Sequence, residues 1–300
     1  MKKPVFPISA VERDVGLSKD VLRVWERRYG FPTPERDANG ERLYPAEQVQ
    51  RLRLVKRLMD QGHRPGRLLA VPLDELEALS AQRRGAAPAA EPGAPDGLAD
   101  LVDLLRRHDA AAYLQALQQR LARQGLRHFV QDTVAPLTMQ VGLAWEEGRL
   151  QVFEEHLFTE LTARALRQAI AAVPGGREPR VLLTSLPNEP HGMGLLMVEA
   201  LWALEGAQCV SLGTQMPLLE IAQASAAHRA DVVALSFSAA FPARQIAGLL
   251  QQLRASLPPA TQLWVGGAGV RRITAPPGVA IIASLDEAVD AMARWRDAGR

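Results

Sequence analysis

From residue 98 to residue 173 the apolar positions recur at helical spacing almost without a break, as in LADLVDLLRRHDAAAYLQALQQRLA and EHLFTELTARALRQAIAAV. That length suits about four helices, a small bundle. PGGREPR at 174–180 ends it, and the texture changes. Short apolar runs follow, RVLLTSL (180–186), QCVSLG (208–213), DVVALSFS (231–238), QLWVGGAG (262–269) and VAIIASL (279–285), with helical segments between them and one more at the end of the chain. This alternation predicts a Rossmann-like domain, a doubly wound parallel sheet with right-handed crossovers. Such sheets bind ligands outside the carboxyl ends of their strands. The loops after Leu186, Ser211, Ser238 and Val265 are therefore the candidates for chemistry.

The start of the chain follows another grammar. FPISAVERDVGLSKDVLRVWERRYGFP predicts a short helix, a turn at Gly16-Leu17, a Ser18 N-cap and a second helix over about 19–29, in helix-turn-helix order. Asn39-Gly40 is a tight hairpin signal between Arg36 and Arg42-Leu43-Tyr44, and PAEQVQRLRLVKRLMDQG predicts a further basic amphipathic helix. A hairpin after a recognition helix is a wing. QRRGAAPAAEPGAPDG (82–97) is dense in Ala, Pro and Gly with no periodic apolar face, and reads as a semi-stiff linker. The expected organisation is a winged-helix domain at 1–81, a linker at 82–97, a four-helix bundle at 98–173 and the α/β domain at 174–300.

Composition agrees with a multidomain globular chain, 47% apolar and 23% charged over 300 residues. The net charge of +2 hides an asymmetry: residues 1–70 hold 15 Lys/Arg against 9 Asp/Glu, and the remainder hold 20 against 24. The basic end points to nucleic acid. A single cysteine, Cys209, excludes a disulfide framework, a cysteine-based zinc site and a three-cysteine iron–sulfur motif. MKKPVFPIS lacks the apolar core of a signal peptide, and no apolar run approaches membrane-spanning length. The expectation is a cytoplasmic protein without a membrane partner.

In the second helix Lys19, Arg23, Arg27 and Arg28 offer a cationic face, with Trp25 and Tyr29 interleaved. Arg36, Arg42 and Tyr44 lie on the wing, whose arginines can reach phosphates or the minor groove. Any one of these arginines is as readily a solvated surface charge. The joint order of helix-turn-helix, Asn-Gly hairpin, Arg-Leu-Tyr-Pro and basic helix is more specific, and across residues 5–75 it resembles the DNA-binding domain of MerR-type transcription regulators. The resemblance implies double-stranded promoter DNA as partner. Those regulators usually continue into a long dimerisation helix; here the chain enters the linker, so any dimer must be made elsewhere.

NEPHGMG places Glu189-x-His191-x-x-Gly194 directly after the first predicted strand of the sheet, with Gly192 and Gly194 letting backbone approach a bulky planar group. A loop histidine alone is most often structural or solvated. The spacing, however, resembles the Asp/Glu-x-His-x-x-Gly element of cobalamin-binding domains. That resemblance implies that His191 ligates cobalt from below and that Glu189 holds the other ring nitrogen. Ser236 and Ser238 after the third strand, and Gly266-Gly267 after the fourth, stand where such domains admit the nucleotide tail.

WEEGRLQVFEEH (145–156) poses a further question. As one helix it would set Trp145 and His156 roughly 20° apart on one face, whereas a turn at Gly148 would put them on separate helices. Trp-x9-Glu-His, met by Trp145, Glu155 and His156, resembles the helical cap of the CarH/LitR photoreceptor regulators. There the tryptophan roofs the adenosyl group and the glutamate contacts it. One position departs: best-known members carry a histidine directly after the tryptophan, and here stands Glu146. His63, His108, His128 and His228 show no convergent pattern and read as structural or surface residues.

These resemblances imply a cobalamin-dependent DNA-binding regulator that is not an enzyme, specifically a light-responsive repressor. Photolysis of its adenosylcobalamin would alter self-association, to a dimer or tetramer, and with it DNA binding. The alternatives are a MerR-type regulator whose α/β domain binds haem or works without a cofactor, and a cobalamin-dependent methyltransferase module.

Overall fold

The structure is a computed structural model that describes residues 4–60, 63–82, 98–271 and 273–298. The chain divides into two compact units, Met1–Pro92 and Gly93–Arg300. Apart from Gln82, the linker expected over 82–97 lies outside the described residues.

In the first unit β1 (Val5–Pro7) leads into α1 (Ile8–Val15), and Gly16, at φ 70°, closes that helix by donating its N–H to the Glu12 carbonyl. Glycine takes this left-handed corner without the steric cost a Cβ would add. Ser18 Oγ then accepts the Val21 N–H at 3.3 Å and starts α2 (Lys19–Tyr29). The wing is an antiparallel hairpin of β2 (Glu35–Arg36) and β3 (Arg42–Pro45). Its loop is not a two-residue Asn-Gly turn. Asp37 N–H bonds Glu41 O, Gly40 N–H bonds Asp37 O, and within the loop only Gly40 has a positive φ, 80°. This is a type I turn closed by a glycine bulge. β1, which the sequence pattern did not reveal, pairs with the other edge of β3. α3 (Ala46–Asp60), α4 (Pro65–Leu69) and α5 (Leu73–Gln82) complete the unit, and Val11, Leu22, Trp25, Tyr44, Leu52 and Leu58 lie in its core.

The second unit opens with α6 (Leu98–Arg106), α7 (Ala110–His128), α8 (Ala135–Glu146) and α9 (Val152–Ala171), the expected bundle. A π-helical turn, Phe129–Val134, joins α7 to α8 after a kink at Gly125 (φ 73°). The sheet domain then alternates: β4 (Arg180–Thr184), α10 (Met193–Leu204), β5 (Gln208–Ser211), α11 (Leu218–Ala227), β6 (Val232–Ser236), α12 (Ala243–Ser256), β7 (Gln262–Gly266), β8 (Val279–Ile282) and α13 (Leu285–Ala298). All its strands are parallel, in the order β5-β4-β6-β7-β8.

Strand alternation sorts the core into two layers. Leu182, Val233, Leu235, Leu263 and Val265 pack with Ile221, Ile246 and Leu250 of α11 and α12. Val181, Leu183, Val232, Ala234 and Trp264 pack with Trp202, Ala288 and Met292 of α10 and α13. α10 is apolar nearly all round, the mark of a helix covered on both sides. Its Leu196, Ala200 and Leu201 enter the bundle core while Leu195 and Trp202 enter the sheet core. After β4 the chain turns one way to β5, then returns to place β6 on the opposite side. This switch opens a crevice at the carboxyl ends of β4 and β6.

Candidate cofactor site and nucleic-acid interface

The loop between β4 and α10 carries the histidine motif to that crevice. Glu189, 1% exposed, is its organising residue. One carboxylate oxygen accepts the His191 backbone N–H at 3.1 Å and lies 2.7 Å from His191 Nδ1, and the other accepts the Ser238 N–H at 2.7 Å. Burial pushes the Glu189 carboxyl up, but the bonds from the His191 ring, the Ser238 N–H and the His191 N–H outweigh it and hold the carboxyl below its ordinary range. An ionised carboxylate only accepts, so Nδ1 carries a proton, and in the neutral ring the lone pair falls on Nε2. The His191 side chain is 58% exposed, so its ring reaches solvent beyond the end of β4.

Two hydroxyls that sequence reasoning passed over hold this loop in place. Ser185 is fully buried; its Oγ donates to Glu189 O at 2.6 Å and accepts the Gln215 N–H at 2.9 Å. Thr184 Oγ1 donates to Gly213 O at 3.0 Å. The loops after β4 and β5 are thus stapled together. The available signal was the Thr-Ser pair that closes an otherwise apolar run.

The glycines fit closely packed loops. A Cβ at Gly194 would stand 3.0 Å from Ser236 Oγ, and one at Gly192 3.1 Å from Thr214 Cγ2. Gly266 leaves 3.2 Å to Ile282 O, and Gly267, at φ 95°, would drive a Cβ to 2.3 Å from Phe237 O. Packing of the β6 and β7 loops on each other therefore accounts for Gly267 without any ligand. Ser238 Oγ is buried with no hydrogen bond of good geometry among the described residues, but it lies close enough to the Glu189 carboxylate to help hold that group ionised.

In the bundle, Gly148 (φ 71°) turns the chain and its N–H bonds Trp145 O, so residues 145–156 are two helix ends rather than one helix. Half-buried Trp145 packs on the bundle core at the end of α8, and exposed Glu146 is the last residue of that helix. A capping box between Gln151 and Glu154 starts α9. Glu154 also lies 3.1 Å from His108 Nε2, which gives that histidine a structural partner. Glu155 accepts from Thr159 Oγ1 at 2.9 Å, and His156, 73% exposed, stands 4.0 Å from Glu155. These contacts are local to α9.

On the basic unit the structure corrects part of the expectation. Tyr44 is fully buried and Trp25 only 5% exposed, so both are core residues. Trp25 shares one helical face with Leu22, and Tyr44 faces inward from β3. Arg27 and Arg28 are exposed, and the Arg28 guanidinium lies 5.3 Å from the Tyr29 ring centroid. Lys19 pairs with Glu12 at 3.5 Å and Arg23 with Asp20 at 3.3 Å. Arg36 Nη1 donates to Gly40 O within the wing, and Arg42 Nε donates to Glu26 at 2.7 Å, fastening the wing to α2. Arg23, Glu26, Arg27 and Arg42 line an open depression of about 420 Å3.

Residues 6–67 match the model of the MerR HTH family regulatory proteins, and residues 98–170 match a B12 binding domain. The chain is 32% identical to the HTH-type transcriptional repressor CarH of Myxococcus xanthus, over 90% of this chain and 91% of that protein. The chain belongs to the CarH-like family of regulators. The same family likeness extends to the HTH-type transcriptional repressor CarA of Myxococcus xanthus, 30% identical over 88% of this chain and 87% of that one. A monomethylamine corrinoid protein of Methanosarcina barkeri shares the fold of this CarH-like chain, with a TM-score of 0.52 and 17% identity over 65% of this chain and 96% of its own. Among the described residues, no helix is long and apolar enough to cross a membrane.

Proposed function

We propose that this CarH-like regulator is a light-responsive repressor that uses adenosylcobalamin and grips double-stranded promoter DNA through its first unit. The observation that carries the cofactor reading is the buried Glu189 carboxylate, which joins the His191 ring to the Ser238 backbone across the crevice between β4 and β6. His191 would ligate cobalt from below through Nε2. Glu189, by holding the Nδ1 proton, would raise the basicity of that nitrogen. The buried Ser238 Oγ, beside the Glu189 carboxylate, is the hydroxyl that would meet a polar nucleotide tail running past Ser236, Gly266 and Gly267. Gly192 and Gly194 would keep the floor of the site low. Trp145 would roof the upper face, with Glu155 and His156 beside it.

The chemistry that bound adenosylcobalamin supplies is a photolabile cobalt–carbon bond. Light acts on the protein only as far as the two forms of the ligand differ in affinity for the two protein states. A dimer or tetramer built by the second unit would raise the effective concentration of the DNA-binding modules, which a linker over 82–97 suits. Glu146 replaces the imidazole of the best-known relatives with a carboxylate, a poorer partner for low-spin cobalt(III). Glu146→His should therefore alter the visible spectrum of the illuminated protein and leave that of the dark protein unchanged. The MerR-type domain supports a regulator over a methyl-transferring module of the same α/β fold.

The test is to load the purified protein with adenosylcobalamin in darkness and to record its absorption and its elution from a sizing column before and after illumination. A bound corrinoid with a light-dependent spectrum and a change in size supports the reading. Failure to bind corrinoid, or a Soret band on adding haem instead, would overturn it. His191→Ala that retains full cobalamin affinity and an unchanged spectrum would remove His191 as ligand.

A further inference from the structure

The outward face of α2 consists of Asp20, Arg23, Val24, Arg27 and Arg28, while Leu22 and Trp25 point into the core. Val24 is 41% exposed, an isopropyl group set among charges. Its place on the helix is between Asp20, one turn earlier, and the Arg27-Arg28 pair, one turn later. Helix propensity does not explain it, since a β-branched residue at an exposed helical position is a poorer choice than Ala, Lys or Glu. Core packing does not explain it either, because the neighbouring Leu22 and Trp25 supply the buried face.

The surroundings indicate what could cover this side chain. Arg23, held by Asp20, and Arg27 border the open depression that Arg42 completes with its partner Glu26; with Arg28, four arginines against the carboxylates of Asp20 and Glu26 leave the face around Val24 positive, as a polyanion requires. In helix-turn-helix docking the second helix enters the major groove and its N-terminal half meets base edges. Those edges present donors, acceptors and one apolar feature, the thymine C5-methyl group. We propose that Val24 contacts a thymine methyl group in the major groove and so determines part of the sequence preference of this regulator. The flanking arginines supply the contacts to phosphate and to base acceptors. This inference depends on DNA binding by the first unit and not on the cofactor.

A deoxyuridine scan tests it, because replacing thymine by uracil removes only the methyl group. Duplexes are first selected from a random library by the full-length protein, with adenosylcobalamin in darkness. Each thymine of the enriched site is then replaced in turn. At one thymine per half-site the wild-type protein should lose about 4-fold in affinity, the weight of one buried methyl group. Val24→Ser should lose a similar factor on the thymine site and be indifferent to the same replacement. Val24→Thr, which keeps one γ-methyl group, should retain part of the discrimination. The salt dependence of binding should not change in either variant, since no charge is altered. Wild-type indifference to uracil at every position, or full uracil sensitivity in Val24→Ser, would overturn the proposal. Failure to enrich any sequence would overturn it together with DNA binding itself.

Discussion

Replacing Glu189 by Gln tests the centre of the site with one atom's change. The carboxylate accepts three hydrogen bonds, from His191 Nδ1 at 2.7 Å, the His191 N–H at 3.1 Å and the Ser238 N–H at 2.7 Å. A glutamine amide offers one accepting oxygen and an NH2 group, so it can serve one side of the crevice while aiming a donor at a donor on the other. A hydrogen bond to a charged group contributes about 1.5–3 kcal/mol, and a buried donor left unpaired costs about 1–3 kcal/mol. The expected loss is about 3 kcal/mol, which for a unit of this size lowers Tm by roughly 6–12 °C. The sign of the pH dependence follows from the depressed carboxyl. The stabilisation is fully present above the ordinary value of 4.5 and is lost as pH falls through the lower folded value. Thermal melts of the cofactor-free protein should therefore show a large gap between wild type and Glu189→Gln at pH 7. That gap should narrow steadily as the pH is lowered below 4.5. Equal melting temperatures at pH 7, or a gap that does not shrink in acid, would refute the argument.

Three other predictions follow from single residues. Arg27→Ala, at an exposed position of α2, should weaken binding across DNA sequences and lower the salt slope by about 1, read from titrations at several salt concentrations. Tyr44→Phe removes a buried hydroxyl that has no hydrogen-bond partner among the described residues. It should leave DNA affinity unchanged and raise the unfolding free energy of the first unit by about 1 kcal/mol in a urea titration. Gly267→Ala, at φ 95° with Phe237 O 2.3 Å from the new Cβ, should destabilise by roughly 3 kcal/mol. Gly213→Ala serves as its control, with a similar φ of 75° and open space around it, and should cost about 1 kcal/mol by the same measurement.

Local order was written plainly in the residues. Gly16 and Ser18 end one helix and begin the next because a left-handed corner and an N-cap are properties of a few adjacent residues. The strands of the sheet could be read from apolar runs because a strand covered on both faces has no polar side to interrupt it. The position of His191 just beyond β4 could be read from the apolar run RVLLTSL that ends shortly before it. The residues within WEEGRLQVFEEH also divide as Gly148 suggested, into the end of α8 and the start of α9.

What the sequence by itself determined was the order of the elements long enough to carry a pattern, and the side chains that each carries to its end. The tertiary structure alone decided which way Trp25 and Tyr44 face, because an aromatic beside arginines satisfies either a core or a DNA surface until its neighbours are placed. It alone paired β1 with β3, since an edge strand of three residues has too short a pattern to announce itself. It set α10 between two cores and so joined the bundle to the sheet. It also brought Ser238 to Glu189 across 49 residues. A buried carboxylate needs donors from wherever the fold can supply them, and the spacing of residues along a chain does not specify which distant backbone N–H will arrive.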